Sequence, residues 1–271
     1  MTIRHTATLL ALSSLLALPA SANLLEDSQG RIELRNMYFN RDFRQTGAPQ
    51  SKADEWAQGV RAYWQSGYTD GRFGVGLDAM GLLGIKLDYS SDRSGTGLLK
   101  RGQSDNRAKD ESSQLGLTAK LRLDNHVLRV GTLLPQLPLA MYNDSRLLPQ
   151  TFRGGWLQAK GSDALSFDLG RFDAINLRDS ADHQRMTPVQ GGARNVIVSG
   201  NADSNAFDFA GASYRFNDNT RASYYYGELD GLYRQHYLVL NHSLKLGDGQ
   251  LGPTCAMRTV ATPGAAISTT V

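Results

Sequence analysis

A single cysteine, Cys255, leaves this 271-residue chain no internal disulfide and no multi-cysteine metal site. Long apolar runs are scarce. Beyond the N-terminal segment none approaches the roughly 20 residues that a membrane-spanning helix needs. Charge of one sign is also scarce: the formal net charge is +3, too mild to argue for nucleic acid, and no basic run is interleaved with aromatics. The chain lacks a G-x-S-x-G elbow, an H-E-x-x-H pair and a Walker loop. Its five histidines form no ligand-spaced cluster, so no metal or cofactor is implied. Ser180, Asp182 and His183 lie close along the chain, but proximity in sequence is not triad geometry. A hydrolase is therefore only a weak alternative.

What is present begins with an address. Arg4 and His5 precede an apolar run, Thr8 to Leu18, and the small residues Ala20-Ser21-Ala22 follow. This reads as a secretory signal peptide over residues 1–22, with the mature chain starting at Asn23 and carrying a net charge of +2 once Arg4 is removed. The mean hydropathy, −0.37, suits a soluble protein. It equally suits an outer-membrane barrel, in which only alternate residues face lipid.

From Asn23 onward, short alternating segments recur between turn residues. They read as strands at Gly30–Arg41, Ala57–Ser66, Phe73–Asp88, Leu115–Leu123, His126–Leu133, Gly155–Lys160, Leu165–Phe172, Phe207–Phe216, Arg221–Leu229 and Tyr233–Leu246. In Phe73–Asp88 the parity slips near Gly81-Leu82, which predicts a bulge. Short turns at 67–72, 124–125, 161–164 and 217–219 alternate with long polar loops at 90–113, 134–153 and 176–205. The fold class is therefore all-β: an antiparallel transmembrane barrel, with brief turns at one end and long loops at the other. A secreted β-sandwich would bury one face as well, but this regular asymmetry is not expected of it.

The two faces predict the chemistry. In a membrane barrel the apolar face points to lipid, here Ile32, Leu34, Val60, Trp64, Val75, Leu77, Leu117 and Leu121. The polar face lines water, here Arg35, Arg61, Tyr63, Lys120, Arg122 and Arg129. Lumen cations would draw anions. The alternative is that they are ordinary solvated charges balanced by Glu33, Asp78 and Asp88. Between two alternating runs lies TLLPQLPLAMYNDSRLLPQTFRGG, Thr132–Gly155, too rich in proline and polar residues for a regular element. A long loop of that kind in a β-wall usually carries function.

That loop, after the VLRVGT strand, resembles the pore-constricting third long loop of the OprD-like porins, the outer-membrane carboxylate channels of Gram-negative bacteria. RIELRNMYFNRDFR, DEWAQGVRAYWQSGYTDGRFGVGLDAMGLLGIKLD and GASYRFNDNTRASYYYGELDGLYRQHYLVLNH resemble the same family. The likeness covers roughly Asn23 to Gly249. It implies an eighteen-stranded barrel, often trimeric, for diffusion of small carboxylate-bearing nutrients, either amino acids or organic acids. The implied partners are that substrate, outer-membrane lipid and lipopolysaccharide, and the barrel-assembly machinery, with no nucleic acid. The resemblance places Tyr142, Asn143, Asp144, Ser145 and Arg146 at the constriction. There Asp144 could pair a substrate ammonium, and Arg146 either Asp144 or a carboxylate. The alternative is that Asp144 and Arg146 only hold the loop closed. Together with parity, the resemblance makes Arg35, Arg61, Lys120, Arg122 and Arg129 a guiding ladder.

The chain departs from that family at its end. About ten strands are visible where eighteen are implied. Residues 252–271 show neither alternation nor a terminal aromatic. The expected organisation is a signal peptide (1–22), the N-terminal part of a barrel (23–251) with its constriction loop at 134–153, and a non-barrel tail (252–271). The composition break at Pro253 suggests that the tail is read out of frame, making this a truncated, inactive copy. A structural or adhesive barrel with a plugged lumen is the remaining rival.

Overall fold

The computed structural model describes residues 23–48, 50–89, 93–100, 107–187, 203–246, 249–252, 254–261 and 268–270. The signal-peptide reading lies outside them. After a single helical turn, α1 (Asn23–Glu26), the chain is antiparallel β throughout. The early strands are β1 (Gln29–Asp42), β2 (Lys52–Gln65), β3 (Phe73–Tyr89), β4 (Glu111–Leu123) and β5 (His126–Leu133). A small hairpin of β6 (Gln136–Leu137) and β7 (Ala140–Met141) interrupts the loop that follows. Then come β8 (Thr151–Lys160), β9 (Leu165–Asn176), β10 (Phe207–Asn217), β11 (Thr220–Leu229) and β12 (Tyr233–His242). A second hairpin, β13 (Leu244–Leu246) with β14 (Gly249–Leu251), precedes β15 (Thr254–Ala261) and β16 (Ser268–Thr270).

Twelve of these strands form one sheet in the order β1-β2-β3-β4-β5-β8-β9-β10-β11-β12-β15-β16. Every neighbour along the sheet is the next large strand in sequence, the meander that period-two patterning requires. The apolar residues of one parity stand exposed. Ile32 and Leu34 are each 73% accessible, and Leu77, Leu117, Leu121, Leu169, Leu238 and Met257 continue the band. An apolar outer wall of this extent is the lipid face of a barrel, not the skin of a water-soluble domain. No helix among the described residues is long and apolar enough to cross a membrane.

All ten strands expected from sequence are present, several of them longer at the end that carries the long loops. Five expectations need correction. The bulge lies at Leu87, where Trp56 pairs with Asp88 and Ala57 with Lys86, not at Gly81-Leu82. The pairing of β3 with β4 runs unbroken from Phe73 to Ile85. Leu82 looked out of phase only because it is an apolar residue on the inner face, where it is 3% accessible. The segment read as Tyr233–Leu246 breaks after His242, and β13 folds back on β14. The loop read as 134–153 ends at Gln150, because β8 begins at Thr151. Finally, the tail is not free of strand: Thr254–Ala261 pairs with β12 from Asn241 to Arg234. The outer edge of β12 presents unpaired backbone groups, and an extended Thr- and Val-bearing segment satisfies them without clean alternation. The loop asymmetry also fades late, since only residues 230–232 join β11 to β12.

Candidate functional site

The inner face of the sheet is crowded where the loop 134–150 turns inward. The first half of the loop packs Leu137, Leu139 and Ala140 against Phe172, Phe207, Phe209, Tyr225 and Leu229 of β9–β11. Its second half packs Leu147 and Leu148 against Ala57, Met80 and Leu82 of β2–β3, with Met37 and Phe39 of β1 beside them. Each buried leucine contributes about 1.5–3 kcal/mol, so the loop is bound to two stretches of wall that are far apart in the sheet. Gly59 makes the second seat: a Cβ there would stand 3.1 Å from both the Leu147 side chain and its carbonyl.

Charge fastens the same end. Arg61 is 1% accessible. Its Nε and Nη2 donate to the Leu147 carbonyl at 2.9 and 2.7 Å, and Nη2 also reaches Arg146 O at 3.1 Å and Asp144 Oδ1 at 2.7 Å. Arg35 grips the two Asp144 oxygens, each at 3.2 Å, and donates to the Arg146 carbonyl at 2.6 Å. Burial pushes the Asp144 carboxyl up, but Arg61 and Arg35 outweigh it and hold the group below the ordinary aspartate range. Arg146 does not pair with Asp144. Its Nε donates to the Thr96 carbonyl at 3.1 Å, and its guanidinium lies 4.7 Å above the Phe39 ring. Asn143 Oδ1 accepts the Ser145 N–H at 3.0 Å, and Ser145 Oγ accepts from Arg178 at 2.6 Å. The Tyr142 N–H closes a turn on Pro135 O at 2.9 Å, and the residue is half-buried.

The remaining basic residues point to the expected side, in two groups. Lys120, 6% accessible, is bound to Asp78 at 2.6 Å and to Ser66 O at 2.7 Å. Its ammonium and the Arg122 guanidinium sit 4.8 and 4.6 Å from the Tyr68 ring. Arg129 stacks 5.9 Å from Trp156 and donates to Gln158. Arg129, Trp156, Tyr63, Asp78 and Leu134 line a cavity of about 190 Å³ beneath the loop stem. The ladder is thus uneven. Arg61 and Lys120 are buried in protein contacts, whereas Arg35, Arg122 and Arg129 keep accessible surface. Sequence reasoning missed the partners Tyr68, Trp156, Gln158 and Asp168. The visible signal for the loop seat was the apolar Leu82 and Met80 on an otherwise polar face.

The Ser180, Asp182 and His183 cluster does not assemble a triad. The Ser180 hydroxyl exchanges hydrogen bonds with the backbone of Asp182, and the Asp182 carboxylate is paired with Lys100.

An inward-folded loop on a lipid-faced antiparallel sheet is a porin arrangement, and sequence comparison decides which kind. The profile of the outer membrane porin, OprD family, matches residues 22–266. The chain belongs to the OprD family. It is 36% identical over 244 residues to the porin-like protein GalP of Pseudomonas putida, covering 89% of this chain and 57% of GalP. It is 34% identical to porin D of Pseudomonas aeruginosa, covering 83% and 48%. Among solved structures, OccK9 (OpdG) of P. aeruginosa superposes with a TM-score of 0.82 at 42% identity, covering 89% of this chain and 60% of that one. OpdK of P. aeruginosa, solved with vanillate, gives 0.77 at 41%, covering 88% and 59%. The chain thus spans about half to three-fifths of the length of these OprD-family relatives. As a member of that family it is an outer-membrane protein of a Gram-negative bacterium, grouped with channels and not with enzymes.

Proposed function

We propose that this chain forms the wall and constriction of an outer-membrane channel through which small carboxylate-bearing solutes diffuse. The observation that carries the reading is the pair of accessible cations, Arg122 and Arg129, sharing the lumen face with a loop bound across it. Guanidinium groups recognise carboxylates through paired N–H donors. A relative solved with vanillate, itself a carboxylate, supports the same solute class. The apolar outer band would meet lipid and lipopolysaccharide, and the assembly machinery and a trimer belong to the same reading.

The test is electrical. Refolded protein in a planar bilayer should pass anions in preference to cations, and benzoate added to one side should reduce the chloride current. Arg129→Gln and Arg122→Gln should each shift the reversal potential towards zero selectivity. A cation-preferring pore, or one indifferent to both substitutions, would reject the proposal.

A further inference from the structure

Among the carboxylates of the lumen face, Asp168 stands apart from those paired with arginine or lysine. Asp168 lies in β9, half-buried, and shares the inner face with Gln158, Gly211 and Tyr225. Its oxygens accept from three neutral donors: Trp156 Nε1 at 2.9 Å and Gln158 Nε2 at 3.4 Å on Oδ1, and the Tyr225 hydroxyl at 3.1 Å on Oδ2. Asp78 and Asp144 on the same face are each ion-paired, but among the described residues Asp168 has no cationic partner. Three donors fix its position, and none neutralises its charge.

The arrangement around it is specific. Trp156 reaches Asp168 from β8 and Tyr225 from β11. The Tyr225 ring crosses β10 over Gly211, where a Cβ would stand 2.2 Å from the ring. A carboxylate held by the N–H and O–H edges of two aromatic side chains, with no cation on it, offers an ammonium group an ion pair. Arg129 is one side chain away: it donates to Gln158 Oε1, while the other end of that amide, Nε2, donates to Asp168. One positive and one negative group are thus held at the two ends of a single side-chain amide, with the Trp156 ring beside both.

We propose that Asp168, flanked by Trp156 and Tyr225, binds the ammonium of a solute whose carboxylate is held by Arg129, so that the lumen favours α-amino acids over plain organic acids. This rests on the carboxylate reading above and adds the second charge to it.

The test uses the refolded chain in detergent micelles, with Trp56→Phe and Trp64→Phe leaving Trp156 as the fluorescent reporter. The probes are phenylalanine, 3-phenylpropanoate and phenethylamine. Phenylalanine should bind about tenfold more tightly than 3-phenylpropanoate, as a charge-assisted contact implies. Asp168→Asn, which keeps the shape of the side chain, should abolish that advantage by weakening phenylalanine binding, whereas Asp168→Glu should retain part of it. If Asp168→Asn does not refold, Gln158→Leu, which cuts the link and leaves the carboxylate and both rings in place, should reduce the advantage severalfold. Equal affinities in the parent, or an advantage that survives these substitutions, would overturn the proposal and leave Asp168 as an acceptor for Trp156 and Tyr225 only. A distinct result, no binding of 3-phenylpropanoate together with phenethylamine binding that Asp168→Asn removes, would reject the carboxylate reading while upholding Asp168 as the ammonium site.

Discussion

At the residue scale, the buried charge beneath the inward loop is committed to holding it. Arg61→Ala would leave the buried Leu147 carbonyl without its donor and Asp144 paired with Arg35 alone. An unpaired buried carbonyl costs about 1–3 kcal/mol, and we expect larger, noisier single-channel conductance and a lower urea midpoint. Arg35→Ala removes a partly exposed partner and should do the same more weakly. Protonation of Asp144 should mimic these changes. Its carboxyl is held below the ordinary range, so its contribution is complete above about pH 3.9, the unfolded-state value. It is lost only as pH falls through the lower folded value. Conductance recorded from pH 7 downward should therefore stay constant to about pH 4 and change below it, and Asp144→Asn should remove that step. The sequence showed which side Arg61 and Lys120 point to, because parity is local. It did not show that both are consumed by protein contacts: Arg61 meets carbonyls 85 and 86 positions away, and no pattern along the chain encodes that meeting.

At the element scale, strand existence was legible wherever one face met lipid and the other met water, as in β3 and β4. It was illegible in β15, whose residues from Arg258 to Ala261 are all half-buried and show no alternation. The inner seat of the loop misled for a physical reason. A loop that brings leucines into the lumen needs apolar and glycine positions on the wet face, so Leu82 and Gly59 broke the pattern where the site is. Two substitutions separate these roles. Leu117→Arg on the lipid face of β4 should cost about 2–4 kcal/mol and lower the heat-modifiable fraction on gels. Gly59→Val should spare the sheet but displace Leu147, giving folded protein with a wider pore in a solute-exclusion assay.

At the scale of the whole molecule, β1 and β16 are the two edges of the sheet and are not paired with each other. The N–H groups of β1 that point away from β2 should exchange faster in detergent than those of β3 to β5, read by hydrogen-exchange mass spectrometry with peptide resolution. Slow exchange along that edge would show that another strand covers it.

The loop's two anchorages have a mechanical meaning. By touching β9–β11 with Leu137 and Leu139 and β1–β3 with Leu147, the loop acts as an internal strut. Aperture and wall curvature then become one variable: a force on the outside of β11, from lipid or from a neighbouring barrel, is transmitted through the strut to the narrowest point. If the proposed channel forms, membrane thickness and composition should therefore tune what it admits.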